Sequence, residues 1–377
     1  MKFYTVESKK KSIFKIFAIY FSCMALFCII RIIASLGIIP SNTLNNSLLT
    51  VIIQVGCLGV LPFALYCICF KAKPKFLIEE CNFFKINIAT IFISIALGLM
   101  CFVINIAVSS LFNGFLTFTG YRFRSSGGGS DYSTINFFLD VFLVAVLPAI
   151  FEEFVHRGLV LQGIKHAGFK KAIVLSSLLF ALIHFNIQQV FYAFVIGLIL
   201  GFVSVVAKNI WPAIIIHFVN NFISTYIDYA QARNWIFGDS LNKLQMALVN
   251  GQTLTIFIVS AIIMIIIVCL LCLFIWLLYK QTIIKKVNKV INKVYDSKTG
   301  HVSNESVQID RNQVIKDLLE NNTLLNLEYQ PMDNPIDIVL PKEKSRYKMN
   351  ARDMIFMFGA IVLGGLITLF TYIWGLF

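Results

Sequence analysis

The sequence predicts an all-α fold, a polytopic transmembrane helical bundle of about eight to nine spans with a polar site buried within the membrane. The 377 residues are 58% hydrophobic and only 14% charged, whereas soluble domains carry about a quarter charged residues. Many apolar runs exceed the roughly 18 residues that a helix needs to cross a bilayer. Because these runs are continuously apolar rather than alternating, we expect helices and not a β-barrel.

The apolar runs delimit nine predicted spans. They cover residues 13–36, 48–70, 87–112, 136–164, 171–185, 189–207, 211–230, 253–279 and 354–376. Pro148 lies inside the fourth span, where it either bends the helix or divides it in two, because proline removes one helical hydrogen bond.

The spans divide the chain into five regions. These are an N-terminal three-span membrane region (1–135), a helical core (136–230), an outer loop with the eighth span (231–279), a polar, basic cytoplasmic segment (280–352) and a C-terminal span (353–377). Lys and Arg are concentrated at the N-terminus and after the second, fourth, sixth and eighth spans, which predicts that the N-terminus is cytoplasmic. Membrane topology thus explains the net charge of +13, and we predict no nucleic-acid partner and a multi-pass protein of the plasma membrane.

Ionisable and amide side chains interrupt three of the apolar spans, where charged groups are costly. Glu152, His184 and Asn221 each lie ~20 Å along the helix from the nearest basic flank, at a rise of 1.5 Å per residue. Three helices therefore bring polar groups to one depth of the membrane. This agreement predicts a single buried polar site.

Spacing within the helices assigns different tasks to the two adjacent carboxylates. Glu153 and Arg157 are four residues apart and are expected to form an ion pair on one helix face. Glu152 projects ~100° away from Glu153 around the helix, so it remains available to activate water. His156 and His166 are predicted to lie in a polar flank or a cavity wall.

Three short motifs carry a resemblance to a known family. They are Glu-Glu-x-x-x-Arg (Glu152, Glu153, Arg157), Phe-x-x-x-His (Phe180, His184) and His-x-x-x-Asn (His217, Asn221). In order and spacing they resemble the motif set of the CPBP family, the CAAX proteases and bacteriocin-processing (Abi) proteins, and are similar to those of the type II CAAX prenyl endopeptidases. The resemblance covers about 136–230.

The resemblance implies an intramembrane endopeptidase, of metallo or glutamate type, that acts on a membrane-embedded or lipidated protein or peptide. Carried over by position, the site residues are Glu152 and His184 for activating the attacking water, His217 and Asn221 for stabilising the oxyanion, and Glu153 and Arg157 for orienting the site. The chemistry itself requires such groups, namely a base for water and donors aimed at the tetrahedral oxygen.

Cofactor use and some functional alternatives stay open at the level of sequence. Glu152, His184 and His217 are candidate ligands of a catalytic Zn²⁺, yet no His-Glu-x-x-His motif is present, and a metal-free Glu/His pair serves equally well. The alternatives to a protease are a non-catalytic bacteriocin-immunity or scaffold membrane protein, a proton-coupled transporter, and a polar network that only locks helix packing. Intramembrane Glu and His also mark proton pathways, but the sequence contains no inverted repeat of the kind seen in many transporters.

Overall fold

A computed structural model describes residues 6–40, 43–123, 131–240, 243, 262, 265–282 and 349–377. These residues form helices joined by short turns and contain no strand, which confirms the predicted all-α bundle. The helices are Val6–Ser35 (α1), Leu44–Phe70 (α2), Pro74–Glu80 (α3), Ile88–Phe118 (α4), Thr134–Ala167 (α5), Phe169–Leu182 (α6), Ile187–Ala207 (α7), Trp211–Arg233 (α8), Ile265–Thr282 (α9) and Ala351–Leu376 (α10).

Within the described residues, 7 helices are long and apolar enough to cross a membrane, namely α1, α2, α4, α5, α7, α9 and α10. The predicted fifth and seventh spans are helical as well, as α6 and α8, but do not meet these criteria. The 14 residues of α6 extend only ~21 Å, which is shorter than the ~30 Å hydrocarbon core. In α8, polar residues such as His217, Asn220 and Asn221 lower the hydropathy.

Several predictions fall on parts of the chain that lie outside the described residues. The predicted polar segment 280–352 is described only at 280–282 and 349–352, and the outer loop 231–252 only at 231–240 and 243. The division into five regions, the cytoplasmic N-terminus and the plasma membrane location stay predictions.

Helix α5 lies at the centre of the packing. It contacts α2, α6 and α8, while α7 packs against α6, and α4 packs against both α7 and α8. Helix α10 packs along α1. Any side chain that projects from the middle of α5 therefore meets residues of several other helices.

Helix α5 is one continuous helix of 34 residues. The predicted fourth span is therefore not divided into two helices at Pro148. Its α-helical section Leu147–Glu153 lies between two π-helical sections, Val141–Val146 and Phe154–Leu161. Pro148 lies at the start of the α-helical section, so the wider π-turn accommodates the missing N–H and the proline ring. π-Helical turns occur frequently at functional sites, and here they flank the two carboxylates.

Helices α4 and α8 approach closely at Gly98. A Cβ atom added there would lie 2.6 Å from Val219 Cβ and 3.3 Å from the Ile216 carbonyl oxygen. Only glycine allows this approach, since backbone atoms of α8 cannot shift cheaply.

We predict that Gly98→Ala destabilises the protein by about 1–3 kcal/mol, the usual cost of overpacking a close contact. Gly114→Ala on the same helix is the matched control, because no heavy atom would lie within 4 Å of its new Cβ and alanine favours the helix. Thermal unfolding in detergent compares the two. Equal melting temperatures would contradict the close α4–α8 contact.

Candidate active site

The Glu153 carboxylate is the point at which α5 meets α8. Its Oε1 accepts a hydrogen bond from Arg157 Nη1 at 2.9 Å and another from His217 Nδ1 at 2.9 Å. The side chains of Glu153 and Arg157 are both 0% exposed. The ion pair predicted from the four-residue spacing is therefore confirmed, and it includes an imidazole from a second helix.

Arg157 connects this pair to two further helices. Its Nη2 donates to the Gly197 carbonyl oxygen at 3.0 Å, and its guanidinium carbon lies 4.5 Å from the centre of the Phe180 ring. A cation over an aromatic face is favourable, and more so when it is desolvated. One arginine thus fixes α5 relative to α6 and α7.

Phe180 separates three imidazoles. The ring centroids of His156, His184 and His217 lie 5.2, 5.2 and 5.6 Å from that of Phe180, with interplanar angles of 82°, 80° and 89°. These are edge-to-face contacts, an arrangement that aromatic rings prefer. The phenylalanine of the Phe-x-x-x-His motif therefore sets the spacing between His184 and His217.

His184 follows the last turn of α6, and its imidazole caps that turn. Its Nδ1 lies 2.9 Å from the Phe180 carbonyl oxygen, whereas its backbone N–H donates to Ala181. Because a carbonyl oxygen only accepts hydrogen bonds, His184 Nδ1 carries the proton. The lone pair of neutral His184 is therefore on Nε2.

The same reasoning applies to His217. Its Nδ1 faces the Glu153 carboxylate, which accepts hydrogen bonds when ionised, so Nδ1 is protonated and Nε2 is the other reactive position. The shared contact with Phe180 shows that His184 and His217, from two different helices, lie together.

Glu152 projects away from this cluster, toward α2. Its Oε1 accepts a hydrogen bond from Gln54 Nε2 at 2.9 Å, and both residues are 8% exposed. The two carboxylates therefore have different partners, as their positions around the helix predicted. Within the described part of the chain, no direct hydrogen bond joins Glu152 to His184, so their joint action on water stays a prediction.

Sequence reasoning missed Gln54. The residue lies in the π-helical section Ile52–Val60 of α2, outside the three motifs and 98 positions from its partner. The available signal was a lone amide in an apolar run, a residue type that forms hydrogen bonds between helices in membranes.

His156 lies in a buried wall, the second of the two positions predicted for it, and not in a polar flank. It is 0% exposed, and its Nδ1 donates to the Glu152 carbonyl oxygen at 2.7 Å. The Tyr20 hydroxyl lies 3.4 Å from its Nε2 and donates to the Leu179 carbonyl oxygen at 2.8 Å. His156 is thus part of the packed wall behind Phe180, whereas His166 is half-buried at the end of α5.

Asn221 contacts α5 from the opposite side of the site. Its Nδ2 donates to the Val144 carbonyl oxygen at 3.1 Å, which uses one of the two amide hydrogens and leaves the other available. A chain of amides holds its oxygen, since Asn220 Nδ2 donates to Asn221 Oδ1 at 3.1 Å and Asn105 Nδ2 donates to Asn220 Oδ1 at 3.3 Å.

This amide chain leads to a cavity of about 480 Å³ between α4, α7 and α8. Polar side chains that line it include Asn105, Ser109, Asn113, Tyr192, Ser224 and Asp228. A cavity of this size falls within the range of small-molecule and peptide sites. Its polar lining also offers hydrogen-bond partners between helices that are otherwise apolar.

The candidate zinc ligands do not form a metal site here. Throughout the described ranges, no group of three or more His, Cys, Asp and Glu side chains is arranged so that it could hold a metal ion. Instead Glu152 is hydrogen-bonded to Gln54, and His217 is hydrogen-bonded to Glu153. The mechanism proposed below therefore uses no metal step.

These observations define a class of protein, a polytopic helical membrane protein with a carboxylate–imidazole–amide site enclosed by its helices. Residues 134–223 match the family described as type II CAAX prenyl endopeptidase Rce1-like. The matched segment contains all of the residues predicted for the site. The match confirms the resemblance to CPBP proteases. Searches of curated proteins and of solved structures gave no match.

We predict that Arg157→Met lowers the free energy of unfolding by about 3–5 kcal/mol, because it leaves the buried Glu153 carboxylate without its cation. Arg233→Met is the control, since Arg233 is exposed and donates to the Tyr132 carbonyl oxygen rather than to a buried carboxylate. Denaturation monitored by tryptophan fluorescence measures both. A comparable loss of stability in the two variants would contradict the central role of the buried pair.

Proposed function

We propose that the protein is an intramembrane endopeptidase that hydrolyses a peptide bond of a membrane-embedded or lipidated protein or peptide. The observation that carries the proposal is the difference between the two carboxylates. Glu153 is paired with a cation and an imidazole, whereas among the described residues Glu152 is hydrogen-bonded to a neutral amide. Glu152 is therefore not engaged in an ion pair there and offers the lone pairs that a general base requires.

In the proposed reaction, Glu152 removes a proton from a water molecule, and His184 Nε2 accepts the water's other hydrogen bond. The water oxygen attacks the carbonyl carbon of the scissile bond, and the carbonyl π electrons move to oxygen. Glu152 then passes its proton to the amide nitrogen, and the carbon–nitrogen bond breaks. The products are a carboxylic acid and an amine.

The tetrahedral oxyanion requires donors, and we assign this role to two side chains of α8. Asn221 retains one amide hydrogen after its bond to Val144. His217 donates only when Nε2 is protonated, and the Glu153 carboxylate on its Nδ1 stabilises that cation, as the aspartate does in a serine-protease triad. Glu153 thus acts on the reaction through His217.

The polar cavity supports a peptide as the substrate. An extended peptide exposes main-chain N–H and C=O groups that lipid cannot satisfy. Amides and hydroxyls of α4, α7 and α8 line the cavity and offer such partners. Asn105 in its wall is connected to Asn221 through Asn220. The family match does not favour the immunity-protein or transporter alternatives.

We predict that Glu152→Gln and His184→Ala each reduce cleavage by about 10²–10⁴-fold, the usual contribution of a general base, while expression and helicity stay near the wild-type level. Comparing the membrane peptides of cells that carry the wild type or Glu152→Gln identifies the substrate and tests the activity together. Glu79→Gln is the control, because Glu79 is exposed on α3. Identical peptide profiles for the wild type and Glu152→Gln would overturn the proposed function.

Whether the proposed cleavage requires a metal ion can be tested separately. Because the candidate ligands are not assembled as a zinc site, we predict that chelators leave the cleavage rate unchanged and that purified protein contains much less than one zinc per chain. Elemental analysis and cleavage assays with and without chelator measure this. Loss of cleavage on chelation, with recovery on adding Zn²⁺, would show that a metal completes the site.

A further inference from the structure

We propose that Gln54 is a positioning residue for Glu152 and that its amide oxygen accepts a hydrogen bond from the water that Glu152 activates. The proposal rests on the function proposed above and adds a residue from α2 to the site. Gln54 lies outside residues 134–223, the part of the chain that matches the family.

The orientation of the Gln54 amide follows from its partner. The Glu152 carboxylate only accepts hydrogen bonds when ionised, so the amide NH₂ group of Gln54 must face it. The 2.9 Å bond from Gln54 Nε2 to Glu152 Oε1 agrees with this orientation. It fixes one oxygen of the carboxylate and leaves the other to take a proton.

The same orientation leaves the amide oxygen without a protein partner. Gln54 Oε1 is buried, and no donor among the described residues reaches it, although about nine in ten or more buried polar groups are hydrogen-bonded. Glu153 Oε2 and Arg157 Nε are buried without partners as well. Buried water typically binds to such groups, and a water at Gln54 would also lie beside Glu152.

Hydrogen-bond directions then fix the reacting water. One of its protons goes to the free oxygen of Glu152, and the other is shared in a three-centre hydrogen bond by His184 Nε2 and Gln54 Oε1. A lone pair of the water oxygen is left to attack the substrate carbonyl carbon. In this arrangement Gln54 gains and loses no proton, so it returns unchanged at the end of the cycle.

Close packing holds α2 in the position that the hydrogen bond requires. At Gly59, also in the π-helical section of α2, an added Cβ atom would lie 2.6 Å from Phe151 Cε1. Phe151 directly precedes Glu152 in α5. The lack of a side chain at Gly59 therefore brings α2 close to the segment that carries the catalytic carboxylate.

The test uses Gln54→Met, which keeps the length of the side chain and removes both its donor and its acceptor. We expect kcat to fall by roughly 10- to 100-fold, as when a residue that supports a catalytic group is removed, and KM to change by less than about twofold because Gln54 makes no substrate contact. The probe is a quenched fluorescent peptide made from the sequence that wild-type membranes cleave and Glu152→Gln membranes do not. The full-length protein is assayed in proteoliposomes.

Gln162→Met is the matched control, since Gln162 is bonded to Lys165 at the end of α5 and not to the site. Its kcat is expected to equal that of the wild type. In a Glu152→Gln background, Gln54→Met should cause no further loss, because residues that act as one unit are strongly non-additive. A purely structural role would instead lower the melting temperature and the active fraction without changing turnover per folded molecule.

The outcomes separate the inference from the proposed function. If Glu152→Gln abolishes cleavage but the kcat of Gln54→Met equals that of Gln162→Met, the role of Gln54 is refuted and the proposed protease function still stands. Additive losses of kcat in the double variant would likewise refute the proposal that Gln54 positions Glu152. If Gln54→Met does not fold, Gln54→Glu decides, because its second carboxylate repels Glu152 and should reduce kcat at least as much. Cleavage that does not depend on Glu152 would remove the basis of both proposals.

Discussion

A buried carboxylate must find its counter-charge within the protein, and this constraint at Glu153 organises the rest of the site. Its side chain is 0% exposed, and removing the partner of such a charge costs several kcal/mol. Arg157 supplies the cation from one turn further along α5, and His217 supplies a second donor from α8. Through the Arg157 contacts with Gly197 and Phe180, the same charge also sets the positions of α6 and α7.

The three motifs form one structural unit because of Phe180. Its ring contacts Arg157 of the first motif, His184 of its own motif and His217 of the third. In His184 and in His217, Nδ1 donates to an oxygen acceptor. In the neutral form of each imidazole the lone pair is therefore on Nε2. Aromatic packing therefore fixes the separation of the imidazoles, and hydrogen bonds fix their tautomers.

Sequence reasoning succeeded where contacts follow from helix periodicity. The pair Glu153–Arg157 is four residues apart, so its contact followed from the helical period alone. It failed where contacts join distant segments without a motif, as for Gln54 and for Asn105, whose partners lie 98 and 115 positions away. The π-helical sections beside Pro148 were not predicted either. A sequence interpreted with a period of 3.6 residues does not show where the hydrogen bonds change from the α-helical to the π-helical pattern. The contact of His156 with Tyr20 of α1 was missed for the same reason as that of Gln54, because the two residues are distant in sequence and share no motif.

The contrast between Arg157 and Gln54 explains how two adjacent carboxylates acquire different surroundings. Arg157 gives Glu153 a counter-charge, and His217 donates to the same oxygen. The neutral amide of Gln54 orients Glu152 with a single hydrogen bond and supplies no counter-charge. Since Glu152 and Glu153 diverge by ~100° around the helix, α5 can offer one to α2 and the other to α8. The adjacency of the two residues in sequence is thus the means by which a single helix provides both an ion-paired carboxylate and a second carboxylate without a cation partner, to which we assign the role of base.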